Sequence, residues 1–179
     1  MIRLFSALNI PPDIGAALQS RQTGLVGARW RPLEALHVTL RFYGDIREDV
    51  ARDLDEALFE LSSAPFEIEL EGVGAFSGED GIHAVWAGVA DNSALSRLAG
   101  ACERASRSAG LKLEPRRYRP HVTLAYVRRP SPAAVATWIE THSRLKSPPI
   151  PVTAFGLYSS HQTGEGSRYR LEAQYPLAG

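Results

Sequence analysis

The chain has little of three things that point to particular protein classes: cysteine, long apolar runs and net charge. Its single cysteine, Cys102, excludes an internal disulfide framework and favours a reducing, cytoplasmic location. No apolar stretch approaches the roughly 20 residues that cross a membrane, and residues 1–12 lack the pattern of a targeting segment, so we expect no membrane attachment. Twenty basic residues balance twenty acidic ones, so any anion binding must come from a local cluster of charge.

One tetrapeptide, His-Val-Thr-Leu, occurs twice, at residues 37–40 and 121–124. Alternate side chains of an extended strand face opposite ways, so each copy presents a histidine and a threonine on one face. The valine and leucine of each copy then form an apolar face. The sequence therefore predicts two strands, one in each half of the chain, that each carry a polar pair above an apolar backing.

Hydrophobic periodicity predicts the same order of elements in both halves of the chain. The predicted elements are strands at 2–10, 35–43, 66–71, 82–90, 118–127, 150–159 and 167–177, helices at 12–25, 46–61, 92–109 and 131–142, and a glycine-rich turn at 72–81. The shift that places His37 on His121 superimposes the halves, which predicts a duplicated β-α-β-α-β unit, repeated roughly at 1–80 and 82–165, in a single two-lobed domain spanning 1–179. No glycine fingerprint follows the first strand and several strands alternate polar with apolar residues. These features favour an α+β fold with mainly antiparallel sheets and pseudo-two-fold symmetry around a central cleft.

Two histidines that face one cleft can exchange protons near neutral pH, because the unperturbed pKa of histidine is about 6.5. One can act as a general base and the other as a general acid, which suits in-line displacement at phosphorus. Thr39 and Thr123, on the same faces as the histidines, are candidate donors to phosphate oxygens. This scheme requires no metal and no other cofactor. A zinc site made of His37, His121 and His83 lacks a further ligand at metal spacing.

These residues resemble those of the two-histidine phosphoesterases, and among them the RNA 2′,3′-cyclic phosphodiesterases, also called ligase-T-like or 2′-5′ RNA ligase-like proteins. The resemblance extends over nearly the whole chain and includes residues 3–5, 11–12, 30, 37–40, 42–44, 74–76, 85–89, 119–124 and 169–177. It implies hydrolysis of a 2′,3′-cyclic phosphate terminus of RNA or of a nucleotide to a 2′-phosphate, with 2′-5′ ligation as a side activity. It also implies that His37 is the proton donor to the leaving 3′ oxygen, that His121 is the proton acceptor, and that Thr39 and Thr123 hold the phosphate.

The family pattern has an arginine two residues beyond the second His-x-Thr-Leu core, in the form His-x-Thr-Leu-x-Arg, and this chain has Tyr126 there. Two candidates could replace this arginine in contacting the phosphate. They are Arg128, which follows shortly after, and Arg41, which continues the polar face of the first motif strand. Phe5, Tyr43 and Tyr126 are candidates for stacking on a base. A basic rim that attracts an RNA backbone is predicted from the arginines at 116, 117, 119, 128 and 129.

The expected partner is an RNA with a 2′,3′-cyclic phosphate end, and the expected assembly is a monomer. A small cyclic nucleotide, such as an ADP-ribose cyclic phosphate, is the alternative substrate. An alternative of a different class is a module that binds a nucleotide without turnover, which the presence of both histidines disfavours. RNA repair or splicing ligation would yield a joined product instead of an opened ring.

Overall fold

The computed structural model describes residues 1–164 and 166–178, and its strand pairings in that range are antiparallel. The elements in chain order are β1 (Ile2–Asn9), α1 (Pro12–Gln19), β2 (Arg29–Trp30), β3 (His37–Ile46), α2 (Glu48–Phe59), β4 (Phe66–Ile68), β5 (Leu70–Gly78), β6 (Gly81–Val89), α3 (Ser93–Ser108), β7 (His121–Tyr126), α4 (Pro132–His142), β8 (Ile150–Val152), β9 (Ala154–Thr163) and β10 (Gly166–Pro176). The predicted α+β class is therefore confirmed. Within the described ranges, no helix combines the length and the hydropathy that a membrane crossing requires.

The two motif strands are neighbours in the main sheet. In the described part of the chain, this sheet has the order β10-β9-β1-β3-β7-β6-β5, and β2 pairs with β7. Val38 of β3 pairs with Val122 of β7. In a second, two-stranded sheet, Glu67 of β4 pairs with Pro151 of β8. The partners in each pair occupy equivalent positions of the two repeats, so the pseudo-two-fold axis passes between them.

The order of elements follows the prediction except for β2, a two-residue strand that was not predicted, and the extents of the elements differ. Helix α1 ends at Gln19 instead of residue 25, and Leu25 is buried as part of the following loop. The predicted strands at 66–71 and 150–159 each divide in two, at Glu69 and at Thr153. These two breaks also lie at equivalent positions of the repeats, and they free β4 and β8 to pair with each other across the axis.

The two halves of the chain exchange a strand. β5 of the first half pairs with β6 of the second, and β9 of the second half pairs with β1 of the first. Each side of the sheet therefore contains a strand from the other half of the chain. We predict that neither half folds separately, because each would lack part of its sheet.

The prediction of a glycine-rich turn at 72–81 is wrong. Residues Leu70–Gly78 form a strand, and only the hairpin at 78–81 turns the chain. A Cβ atom at Gly74 would lie 2.4 Å from the ring of Trp86 on the paired strand. Glycine is needed at that position because an aromatic ring lies directly over the backbone.

The apolar face of each motif is the part that anchors it. Val38, Leu40, Val122 and Leu124 are all buried in the core, at most 3% exposed. Burial of an aliphatic side chain contributes roughly 1.5–3 kcal/mol. Because alternate residues face opposite ways, this anchoring fixes the histidine and threonine of each motif on the opposite face of the sheet.

Candidate active site

Both motifs present their polar pairs to one cavity of about 420 Å³. The cavity is lined by Arg3, Phe5, Arg31, Ala35, His37, Thr39, Phe42, His121, Thr123, Tyr126, Ser160, Gln162, Ser167 and Tyr169. The structure thus brings together six residues singled out in the sequence: the two histidines, the two threonines, Phe5 and Tyr126. Among the described residues, this lining contains two arginines and no carboxylate, which suits an anionic ligand.

The same backbone hydrogen bond orients both motif imidazoles. Nδ1 of His37 lies 2.9 Å from the carbonyl oxygen of Ala35, and Nδ1 of His121 lies 2.7 Å from the carbonyl oxygen of Arg119. A carbonyl oxygen can only accept, so Nδ1 carries the proton and donates it in both rings. Nε2 is therefore the free nitrogen of each histidine, able to accept a proton in the neutral ring and to donate one once protonated.

The imidazole of His37 is enclosed by aromatic rings. Its centroid lies 4.9 Å from that of Phe5 and 5.2 Å from that of Tyr169. Burial lowers the pKa of His37 to about 4; the hydrogen bond to Ala35 opposes this effect and the positive charge of Arg31 adds to it. His37 is therefore neutral at pH 7.

The imidazole of His121 has a less enclosed environment. The ring of Phe76 meets it edge-on at 4.7 Å, and the ring of Trp86 lies 6.3 Å away. Burial lowers the pKa of His121, and the charge of Arg119 adds to the effect, but the pKa does not fall as far as that of His37. The two histidines therefore have the same tautomer and different proton affinities.

A β-bulge follows each motif and ends the predicted alternation. The pairing register skips Leu40 in β3 and Leu124 in β7, the last residue of each motif. An extra residue turns the following side chains to the opposite face. Phe42 and Tyr126, each 45% exposed, therefore reach the cavity. The prediction that Arg41 continues the polar face is wrong, because it assumed an unbroken strand.

Arg41 instead holds together the scaffold of the site. It forms ion pairs with Glu103 of α3 and, at 3.6 Å, with Glu114. It also donates a hydrogen bond of 2.9 Å to the carbonyl oxygen of Lys112. These contacts tie β3 to the segment that leads into the second motif strand, so the guanidinium is engaged outside the cavity.

Two further candidates lie outside the cavity. Arg128 is exposed, beyond the end of β7, and is not part of the cavity lining. Tyr43 is buried, and its hydroxyl donates a hydrogen bond of 2.9 Å to Ser6 Oγ. The position of Arg128 does not fit phosphate binding, and the position of Tyr43 does not fit stacking on a base.

A lateral groove of about 570 Å³ continues the cavity past His121. The groove is lined by Thr39, Leu40, Arg41, Phe42, Phe76, Ser77, His83, Glu114, Arg116, Arg117, Tyr118, Arg119 and His121. It shares Thr39, Phe42 and His121 with the cavity. The guanidinium of Arg119 lies 5.3 Å from the centroid of the Phe76 ring. Aromatic faces combined with arginines are typical of surfaces that bind single-stranded nucleic acid, so part of the predicted basic rim lines this groove.

Eight described residues of the cavity lining were not among the candidates from the sequence, and two of them, Arg31 and Tyr169, contact each other across the cavity wall. Arg31 follows β2, and its backbone N–H donates a 2.8 Å hydrogen bond to the carbonyl oxygen of Leu124, in the other half of the chain. Tyr169 comes from β10 and accepts a 3.1 Å hydrogen bond from Arg31 Nη2. No local pattern indicates a pairing between such distant segments. The only signal was that both residues lie within or beside segments that carried the family resemblance.

Comparison with known proteins agrees with the geometry. A family model described as the 2′-5′ RNA ligase superfamily matches residues 10–164. An RNA 2′,3′-cyclic phosphodiesterase of Archaeoglobus fulgidus is 30% identical over 172 residues, covering 94% of this chain and 97% of the relative, and one of Aeropyrum pernix is 35% identical over 140 residues, covering 76% and 79%. A solved structure from Thermus thermophilus has a TM-score of 0.81 and 25% identity over 98% of both chains, and E. coli LigT complexed with 3′-AMP has a TM-score of 0.79 and 23% identity over 99% of both. The resemblance inferred from the motifs is confirmed, and the chain belongs to the 2′-5′ RNA ligase superfamily.

Proposed function

We propose that this protein hydrolyses the 2′,3′-cyclic phosphate terminus of RNA to a 2′-phosphate by general acid and base catalysis. The observation that carries the proposal is the pair of imidazoles, each with Nε2 free, on one cavity that contains arginines and no described carboxylate. The names of the relatives support the same reaction. The description of the family adds 2′-5′ ligation.

In this scheme, His121 is the proton acceptor. Its Nε2 takes a proton from a water molecule, whose oxygen forms a bond to phosphorus opposite the 3′ oxygen. The hydroxyl groups of Thr39 and Thr123 donate hydrogen bonds to the two non-bridging oxygens, where negative charge accumulates in the transition state. The bond between phosphorus and the 3′ oxygen then breaks.

His37 is the proton donor to the departing 3′ oxygen, which leaves as a hydroxyl. Burial among the protein groups lowers the pKa of His37 further than that of His121, the reverse of the order that these roles require. An anionic phosphate close to a histidine favours the charged imidazolium and raises its pKa. We therefore propose that binding of the anionic substrate raises the pKa of His37, so that this imidazole takes up a proton from solvent.

We propose that the reaction needs no metal. Two histidines without a carboxylate or a thiolate in the described lining are a poor donor set for zinc, magnesium or calcium. Ligation is the same displacement with the 5′ hydroxyl of a second RNA in the place of water, so His121 is again the base and His37 again protonates the departing 3′ oxygen. It would join the ends through a 2′-5′ linkage.

The lateral groove favours RNA over a small cyclic nucleotide as the substrate. It gives a polynucleotide a continuous path from the cavity across exposed Phe42 to Phe76 and the arginines beside it. A mononucleotide would fill only the cavity. The small nucleotide remains the second candidate, since the cavity alone contains all the groups used in the chemical step.

The experiment is a turnover assay with an oligoribonucleotide that ends in a 2′,3′-cyclic phosphate, in the presence of EDTA, with identification of the product terminus. We expect wild type to form a 2′-phosphate. We expect His37→Ala and His121→Ala each to lower kcat by about 10²–10⁴-fold, the usual contribution of one acid or base. His142→Ala, at the half-buried last residue of α4 and outside the cavity lining, is the matched control and should keep full activity.

Two results would contradict the proposal. Activity that disappears in EDTA and returns with a divalent cation would replace the two-histidine scheme with metal catalysis. Substrate binding without turnover by wild type would favour the nucleotide-binding module.

A further inference from the structure

We propose that Arg31 is the cation that binds the phosphate group in this cavity. The inference rests on the proposed function, because it names a binding residue for the same site. It assigns this role to a residue outside both His-Val-Thr-Leu motifs.

The guanidinium of Arg31 is a buried charge on the cavity wall. The residue is only 8% exposed, yet it lines the cavity with the two motif histidines. Within residues 1–164 and 166–178, no carboxylate forms an ion pair with it. Arg3, the other arginine of the lining, lies 2.7 Å from Asp45 and is already neutralised. A buried charge without a counter-charge is costly, and an anionic ligand in the cavity would compensate for it.

Two tyrosines hold this guanidinium in place. Its central carbon lies 5.4 Å from the ring centroid of Tyr126 and 5.5 Å from that of Tyr169. One of its nitrogens, Nη2, donates to the Tyr169 hydroxyl at 3.1 Å. The remaining donors of the planar fork have no described protein acceptor, so they can bind two phosphate oxygens at once.

The backbone of Arg31 is fixed from both sides. Its N–H donates to the carbonyl oxygen of Leu124 at 2.8 Å, and its carbonyl oxygen accepts a 2.8 Å hydrogen bond from Gln22 Nε2. The side chain therefore starts from a rigid point directly beside the second motif. A preorganised donor of this kind does not have to be ordered when the ligand binds.

Arg31 also accounts for the departure of this chain from the family pattern. The pattern has an arginine where this chain has Tyr126, and the guanidinium of Arg31 lies over that tyrosine ring. The positive charge is therefore supplied from the end of β2 instead of β7. Its electrostatic effect on the pKa of His37 is consistent with a position close to the reacting groups.

The test compares Arg31→Met, Arg31→Lys and the double variant Arg31→Met with Tyr126→Arg, using Arg29→Met on the exposed side of β2 as the matched control. The probes are inorganic phosphate, by calorimetric titration at low salt, and the cyclic-phosphate oligoribonucleotide, by kcat and KM. We expect Arg31→Met to bind phosphate at least tenfold more weakly and to lose about 10²-fold in kcat/KM. Lysine should restore part of the loss, and the double variant should regain at least tenfold over Arg31→Met. The control should match wild type.

Phosphate affinity of folded Arg31→Met equal to that of wild type would overturn the proposal, and so would a folded double variant no better than Arg31→Met. If Arg31→Met does not fold, the test rests on Arg31→Lys. Lysine keeps the positive charge but lacks the planar pair of donors, so a phosphate affinity equal to that of wild type would contradict bidentate contact. The phosphate titration also separates this proposal from the proposed function. If wild type binds phosphate through Arg31 but does not open the cyclic phosphate, the proposal for Arg31 stands and the proposed hydrolytic function is contradicted.

Discussion

The two motif strands have matching backbones and different surroundings. Each has a histidine oriented by a carbonyl oxygen two residues earlier, a threonine on the same face, and a bulge at the next leucine. Around His37 the chain places Phe5 and Tyr169, which shield the imidazole from water. His121 instead borders the lateral groove. The comparison indicates that duplication supplies two equivalently oriented imidazoles and that their neighbours make them chemically unequal.

Substitutions of Thr39 and Thr123 test whether the two motifs are equivalent. Thr39→Val and Thr123→Val remove one hydroxyl each and keep a branched side chain suited to a strand. We expect each variant to lower kcat by about 10²-fold, since each loses one donor to the phosphate in the transition state. Steady-state assays should show similar losses for both, and Thr141→Val on α4 should show none. A loss confined to one variant would mean that the phosphate is not held symmetrically.

The pH dependence of stability tests the difference in surroundings between His37 and His121. The pKa of His37 is lowered to about 4 in the folded protein, and unfolded histidine titrates near 6.5. Between these values the unfolded chain holds the extra proton, so stability falls as the pH falls through this window, by roughly 3 kcal/mol in total. Urea unfolding at pH 7 and pH 4 should show that His37→Gln loses less stability on acidification than wild type does. His121→Gln should reduce this loss of stability by a smaller amount. Equal reductions for the two variants would contradict the difference in burial.

The lateral groove, which opens on the side of His121, gives the smallest expected effect. Arg117→Met removes one exposed positive charge from this groove. We expect kcat/KM to fall about fivefold for an oligoribonucleotide and the slope of its salt dependence to decrease by about one. A 2′,3′-cyclic mononucleotide should be turned over unchanged, and Arg97→Met on α3 should affect neither substrate. Equal losses for both substrates would indicate that the groove does not bind the rest of the RNA.

Local sequence patterns were sufficient to predict the two motif strands. The alternation of His37, Val38, Thr39 and Leu40 determines which side chains are buried and which face the cavity, and the recurrence of the tetrapeptide predicts a matching strand. Those properties depend on neighbouring residues and on their period along the chain. For that reason the α+β class and the order of all the elements except β2 could be obtained without coordinates.

The remaining features depend on contacts between distant segments. The bulge at Leu40, which moves Arg41 out of the cavity and Phe42 into it, is a property of the pairing with β1. Arg31 reaches the site only because a two-residue strand pairs with β7. In the sequence, Gly74 is typical of a turn. The structure shows that it is a strand residue that leaves room for the ring of Trp86. In each case the sequence shows the residue type, and only the tertiary structure shows its neighbour.

The central claim is that two equivalent motif histidines have opposite proton roles at one phosphate. The most direct test replaces the 3′ bridging oxygen of the cyclic phosphate by sulfur, a leaving group that needs no proton. We measure single-turnover rates of wild type, His37→Ala and His121→Ala with the oxygen and sulfur substrates. The account predicts that sulfur restores the rate of His37→Ala to near that of wild type and leaves His121→Ala slow. Rescue of His121→Ala instead would reverse the roles, and rescue of neither would contradict acid catalysis by His37.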